Sequence, residues 1–240
     1  MIGLGWAVIV GCLLVYVVGS ARRQIAAARG VRRQLCELLD MDETSDWPQP
    51  SVVSPSGTVG GHTGVLVGTT STGRRLWIDL DSTYYRTTDF NFVAVSVEVG
   101  DDVDDVRIAP GGAWTKPKAN DDSFRRRFTV SGVATLDPGL RDAVTATSPS
   151  AIEIDGGRLT VVTTRGPQPR LADATRALRA LAELLDALDD SYHGLADGVG
   201  DIGLDALNAA EHQPDPGPRD RTLNLLFAGT VLGAVLVIAG

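Results

Sequence analysis

Asp79-Leu80-Asp81-Ser82-Thr83 is the segment with the most chemistry in it. It follows the apolar Leu76-Trp77-Ile78, and residues two apart on a strand share a face, so both carboxylates would stand together at a strand's end. Such a pair serves nucleophilic and acid–base work, one group attacking while the other handles a proton. Asp101, Asp102, Asp104 and Asp105 offer hard oxygen ligands for a divalent cation. They lack the glycine and closing glutamate of a calcium loop, so the segment reads first as a solvated turn. Gly57 to Gly64 lacks the G-K-[ST] of a phosphate-binding loop, and no serine sits in G-x-S-x-G. His62, His193 and His212 are scattered, and Cys12 and Cys36 have no metal-ligand companions. These residues assign no catalytic, cofactor-binding or metal site, and no cofactor.

The elements that must position such groups follow from periodicity. Residues 64–165 read mainly as short strands. Asn91 to Val99 alternates Val93, Val95, Val97 and Val99 against Phe92, Ala94, Ser96 and Glu98. Gly156-Gly157 is a two-residue hairpin turn, and Asp137-Pro138 caps and opens a short helix over about 137–147. Pro169 to Tyr192 carries the strongest helical stripe, Leu171, Ala174, Leu178, Leu181, Leu185 and Leu188. Asp173, Arg176, Arg179, Glu183 and Asp186 are expected to face water. Hairpins followed by late helices predict an α+β fold with an antiparallel sheet and one or two packing helices.

Charge and hydropathy then divide the chain. The 240 residues carry net charge −8, from 24 Asp and 6 Glu against 20 Arg and 2 Lys. Asp excess with little Lys suits either a salt-adapted, halophile-like protein or a GC-rich genome. Residues 2–20 and 223–240 hold no charged side chain, and as helices each would be about 27–28 Å long, near the ~30 Å of a bilayer core. Arg22, Arg23, Arg29, Arg32 and Arg33 follow the first run, and Arg219 and Arg221 precede the second. By the positive-inside rule those flanks are cytoplasmic. The expected organisation is a transmembrane helix (1–20), a basic juxtamembrane helix (21–40), a linker (41–63), the α+β cytoplasmic domain (64–192), a Gly/Asp/Pro-rich linker (193–222) and a transmembrane helix (223–240). The lipid bilayer is then a partner, and Gly229/Gly233 with Ala7/Gly11 offer close packing to a membrane protein or a second copy. Residues 41–218 carry −12, which repels nucleic acid.

Two resemblances bear on function. Asp79 to Thr83 has the D-x-D-x-T form of haloacid dehalogenase-type phosphotransferases, which implies Asp79 as nucleophile, Asp81 as acid/base and magnesium. That family builds the motif into a parallel α/β fold, whereas hairpins surround it here. Asp121-x-x-Phe124-x-x-x-Phe128-x-Val130-x-Gly132, then Leu136 to Val144 and Ile152 to Val161, resembles uncharacterised prokaryotic, haloarchaeal-type two-span membrane proteins over about 64–190. That resemblance implies anchoring and brings no activity; Phe124 and Phe128 themselves read as core anchors. The expectation is a non-enzymatic, membrane-anchored interaction or scaffold protein presenting an acidic domain. The alternative is a membrane-tethered Mg-dependent phosphatase-like hydrolase using Asp79 and Asp81.

Overall fold

The structure is a computed structural model that describes residues 2–45, 47, 53–54, 65–84, 92–101, 103–110, 123–132, 136–165, 170–189 and 194–211. In chain order these form α1 (Ile2–Leu39), β1 (Asp42–Glu43), β2 (Val53–Ser54), β3 (Val65–Thr69), β4 (Arg75–Tyr84), β5 (Phe92–Glu98) and β6 (Val106–Pro110). Then come α2 (Ser123–Arg127), β7 (Phe128–Ser131), α3 (Pro138–Thr147), β8 (Ala151–Asp155), β9 (Arg158–Thr164), α4 (Leu171–Asp189), α5 (Leu195–Val199) and α6 (Leu204–Glu211). Eight strands pair in the order β1-β3-β4-β5-β9-β8-β6-β7, and β2 pairs the far end of β4. Every pairing is antiparallel, in keeping with the hairpin signals.

The valine alternation in β5 sorts its two faces. Val93, Val95 and Val97 join Leu76, Ile78, Leu80, Leu159, Val161, Ile152 and Ile154 in the main core under α4. Phe92 and Ala94 point the other way and pack with Ala151, Val162 and the half-buried Trp47. Both faces of β5 are buried, one against α4 and the other in the cluster that Trp47 packs against. Phe124 and Phe128 are core residues, their ring centroids 5.0 Å apart.

α4 buries far more than one stripe. Arg176, Arg179, Glu183 and Asp186 form its exposed line, while Ala174, Ala177, Leu178, Ala180, Leu181, Leu184, Leu185, Ala187 and Leu188 are all buried. β5 and β9 lie against one side, and α3, α5, α6 and the end of α1 take the others. Small alanines at 174, 177, 180 and 187 let those neighbours approach the helix backbone. Asp173 was expected in water and is instead buried. Its carboxylate accepts from the Arg170 N–H (3.0 Å) and lies 3.7 Å from the Arg176 guanidinium. A carboxylate three residues into a helix that satisfies the N–H before it is half of a capping box, and it also meets the positive end of the helix dipole. The Gly-rich stretch after α4 supplies α5 and α6, whose Leu195, Val199 and Leu207 are buried in the same core.

The structure corrects the expectation at the chain ends. The first apolar run is not a self-contained segment followed by a separate basic helix: α1 continues without a break from Ile2 to Leu39. The rod that starts apolar carries Arg22, Arg23, Arg29, Arg32 and Arg33 in its second half. Ala28, Val31 and Leu35 of that half are buried, and the helix packs on α4, α6 and β3. It ends at Asp40 in the left-handed region (φ 51°), where the Met41 N–H donates back to the Cys36 carbonyl. Among the described residues no helix is long and apolar enough to cross a membrane. Flanking transmembrane helices, an integral multi-pass membrane assignment and the cytoplasmic orientation drawn from them are therefore overturned. The second run, 223–240, lies outside the described residues.

Leu181→Ala is expected to lower unfolding free energy by about 2–5 kcal/mol, because the cavity would open between helix and sheet. Glu183→Ala, on the exposed line, should change it by less than about 0.5 kcal/mol. Urea titration of both variants decides; equal losses would mean that α4 is not seated as described.

Candidate functional site

Asp79 occupies the middle of β4, opposite Val65 on β3 and Ala94 on β5, and is fully buried. The pairing of β4 with β5 then slips by one residue between Asp79 and Ser82, so Leu80 and Asp81 sit in a β-bulge. The Leu80 carbonyl, turned out of the regular ladder, accepts from Arg165 Nε at 2.8 Å. Asp79 and Asp81 are thus in a central strand of an antiparallel sheet, with Asp79 sealed from solvent. A nucleophilic carboxylate needs a substrate at its oxygen, so the phosphotransferase arrangement finds no support in this placement.

The acidic turn after β5 has a structural duty. Asp105 Oδ1 accepts from the Gly156 N–H (3.2 Å), and the Gly157 carbonyl accepts from Val99 N–H (2.7 Å) and Gly100 N–H (3.1 Å). The two loops therefore clasp each other. Gly157 is left-handed (φ 70°), and a Cβ there would meet Asp101 Oδ1 at 2.6 Å, so glycine alone allows this approach. Among the described residues no group of three or more His, Cys, Asp or Glu could hold a metal ion. Asp102, His62, His193 and His212 lie outside the described residues.

The sheet face away from α4 carries a polar row that periodicity did not reveal. In register across four strands lie Ser96, Thr160, Glu153 and Arg107. The Ser96 and Thr160 hydroxyls are 2.8 Å apart, and both are buried. Glu153 is buried too, and Arg107 Nε, nearer the sheet edge, stands 4.0 Å from its carboxylate. Each residue taken alone reads as an ordinary strand position; only the strand order 5-9-8-6 sets them in a line. The row sets hydroxyls beside a carboxylate that faces a guanidinium. It can hold strand register and satisfy buried polar groups.

The loops at one end of the sheet gather charge on the outside. The β3–β4 turn, the β5–β6 loop and the β8–β9 turn all lie there, because the strands they join are antiparallel neighbours or near neighbours. Ser71 and Asp201 exchange two hydrogen bonds (3.1 and 2.8 Å), and the Thr72 hydroxyl lies 2.7 Å from the Gly198 and Val199 carbonyls, so the α5–α6 loop joins the same end. Asp101, Asp104, Asp105, Asp155, Asp197 and Asp201 are exposed on it, with Arg74, Arg75 and Arg158 as nearby basic residues. Fixed hairpins and reciprocal hydrogen bonds make this acidic end a shaped surface. It is the candidate functional site.

Cys36, at the end of α1, is half-buried against the core. Burial pushes its thiol pKa up, and the Glu43 and Asp42 carboxylates add to the rise.

Compared with known proteins, the sequence matches no protein-family model and no curated protein. Among solved structures it is similar to the crystal structure of the mycobacterial trehalose monomycolate transport factor A, TtfA. The identity is 15%, over 71% of this chain and 94% of that chain, with a TM-score of 0.37. A likeness at that level carries no argument here.

Two measurements check this geometry. Thr160→Val should cost about 1–3 kcal/mol by stranding the Ser96 hydroxyl, and Ser96→Ala with Thr160→Val together should cost clearly less than the two separately. Additive losses would mean that the hydroxyls do not interact. Cys36 should alkylate more slowly at pH 8 in the folded chain than in denaturant, since the thiolate is the reactive form. Glu43→Gln should recover part of the rate; no recovery would remove Glu43 as a cause.

Proposed function

We propose that this chain is an interaction or scaffold protein that presents an acidic α+β domain to a partner with a basic surface. One observation carries the reading: six exposed aspartates gather at a loop end braced by the β8–β9 hairpin and the α5–α6 loop. Three other carboxylates are committed inside the fold. Asp79 is sealed in β4, Glu153 faces Arg107 and Asp173 caps α4. An acidic surface of this kind steers a basic partner at long range and discriminates against nucleic acid, which shares its sign. Such attraction weakens with salt, because exposed charges are screened beyond about 10 Å at 0.1 M ionic strength.

The test compares proteins that co-purify with the native full-length chain and with Asp101→Asn/Asp104→Asn/Asp155→Asn. The expected result is a partner with a basic surface, recovered at low salt and reduced by the triple substitution, with the domain's unfolding curve unchanged. A partner retained equally by both would sink the acidic end as the binding surface. Magnesium-dependent phosphate-ester hydrolysis lost in Asp79→Asn would sink the whole reading in favour of the hydrolase.

A further inference from the structure

The β8–β9 turn carries the reactants for a change in its own backbone. The sequence contains two Asp-Gly pairs, Asp155-Gly156 and Asp197-Gly198. In such a pair the glycine nitrogen can attack the aspartyl Cγ, because glycine has no Cβ to obstruct the approach and turns freely in the backbone. The N–Cγ bond forms, the Cγ–OH bond breaks, and the amide hydrogen leaves with that hydroxyl as water. Water then opens the cyclic imide at either carbonyl. Opening at the main-chain carbonyl leaves isoaspartate, whose backbone runs through the side chain and is one carbon longer. The attack needs a free nitrogen and a turning backbone, so it proceeds from locally opened states of the chain.

The two pairs are held differently. Gly198 lies inside α5: its N–H donates to the Gly194 carbonyl at 2.9 Å, and its own carbonyl lies 2.7 Å from the Thr72 hydroxyl. Asp155 and Gly156 are exposed at the tip of a hairpin, and a Cβ on Gly156 would meet nothing within 4 Å. Asp155 and Arg158 are the last pair of the ladder there, so Gly156 lies beyond it. The Gly156 N–H donates instead to Asp105 Oδ1 at 3.2 Å, a carboxylate 51 residues earlier in the β5–β6 loop. We propose that Asp155–Gly156 is a site of aspartyl isomerisation and that Asp105 is the positioning residue that restrains it by engaging the nitrogen. The packing of the turn sets the consequence. The Gly157 carbonyl accepts from the Val99 and Gly100 N–H groups, and an added Cβ on Gly157 would fall 3.0 Å from the Gly100 oxygen. A backbone lengthened by one carbon just before Gly157 displaces it from this close fit and loosens the β5–β6 loop from the hairpin. The modification alters the loop end using only this chain and water.

The experiment incubates the purified full-length chain at pH 6 and follows isoaspartate at residues 155 and 197 by peptide mapping, with fragmentation that breaks the Cα–Cβ bond. Asp105→Ala is expected to raise the rate at residue 155 about fivefold, the ratio that one exposed hydrogen bond sustains, with residue 197 unchanged. Asp105→Asn keeps an oxygen acceptor and should stay near the native rate. An unchanged or lower rate in Asp105→Ala would overturn the restraint. Equal rises at 155 and 197 would overturn it too, since they report general unfolding, as would a rate in Asp105→Asn equal to that in Asp105→Ala. Absence of isoaspartate at residue 155 in all three chains would overturn the site itself. No readout here involves a partner, so failure leaves the acidic-end reading standing.

Discussion

The fit of α4 into its surroundings is the constraint on which the other layers depend. Eleven of its nineteen residues are buried, more than an amphipathic helix on a sheet surface would bury. The excess is explained by what surrounds it: β5 and β9 below, α3 on one flank, and α5, α6 and the foot of α1 on the others. A change in its diameter therefore displaces several neighbours together. The sheet centre is set by the same contact, since β5 and β9 are the strands that α4 covers.

The opposite face of the sheet obeys a different rule. There Phe92, Ala94, Ala151 and Val162 make a small apolar patch beside the line of Ser96, Thr160, Glu153 and Arg107. Burying polar groups costs stability unless each finds a partner, and this row supplies partners across strands that are far apart in sequence. Residues capable of chemistry are used here as structural cement. The same holds for Asp173 at the start of α4 and Asp105 beneath the β8–β9 turn.

α1 ties its basic run into the domain. Arg32 is buried against its own helix and lies 3.8 Å from Glu43, so part of the basic run serves the domain. Met41 reaches over Gly68, where a Cβ would fall 2.9 Å from its Cγ. The foot of the helix is clamped on α4, α6 and β3.

By itself the sequence determined much of the local structure. Gly156-Gly157, the Asp137-Pro138 cap and the alternation of β5 are each decided by the residues within a few positions, and all three are present. The acidic balance, with its separation from two uncharged ends, is a property of the chain alone. Tertiary structure decided the rest. Whether Asp79 is a reactive carboxylate or a buried one depends on the strands beside it, and whether Asp173 meets water depends on what covers the first turn of α4. No periodicity could announce the Ser96–Thr160–Glu153–Arg107 row, because its members come from four strands whose order is 5-9-8-6. The apolar start of α1 likewise looked like a separate unit until it proved continuous with a helix bound into the domain. Local propensity sets the elements; long-range pairing sets which of their faces meet, and that pairing allots each polar group its task.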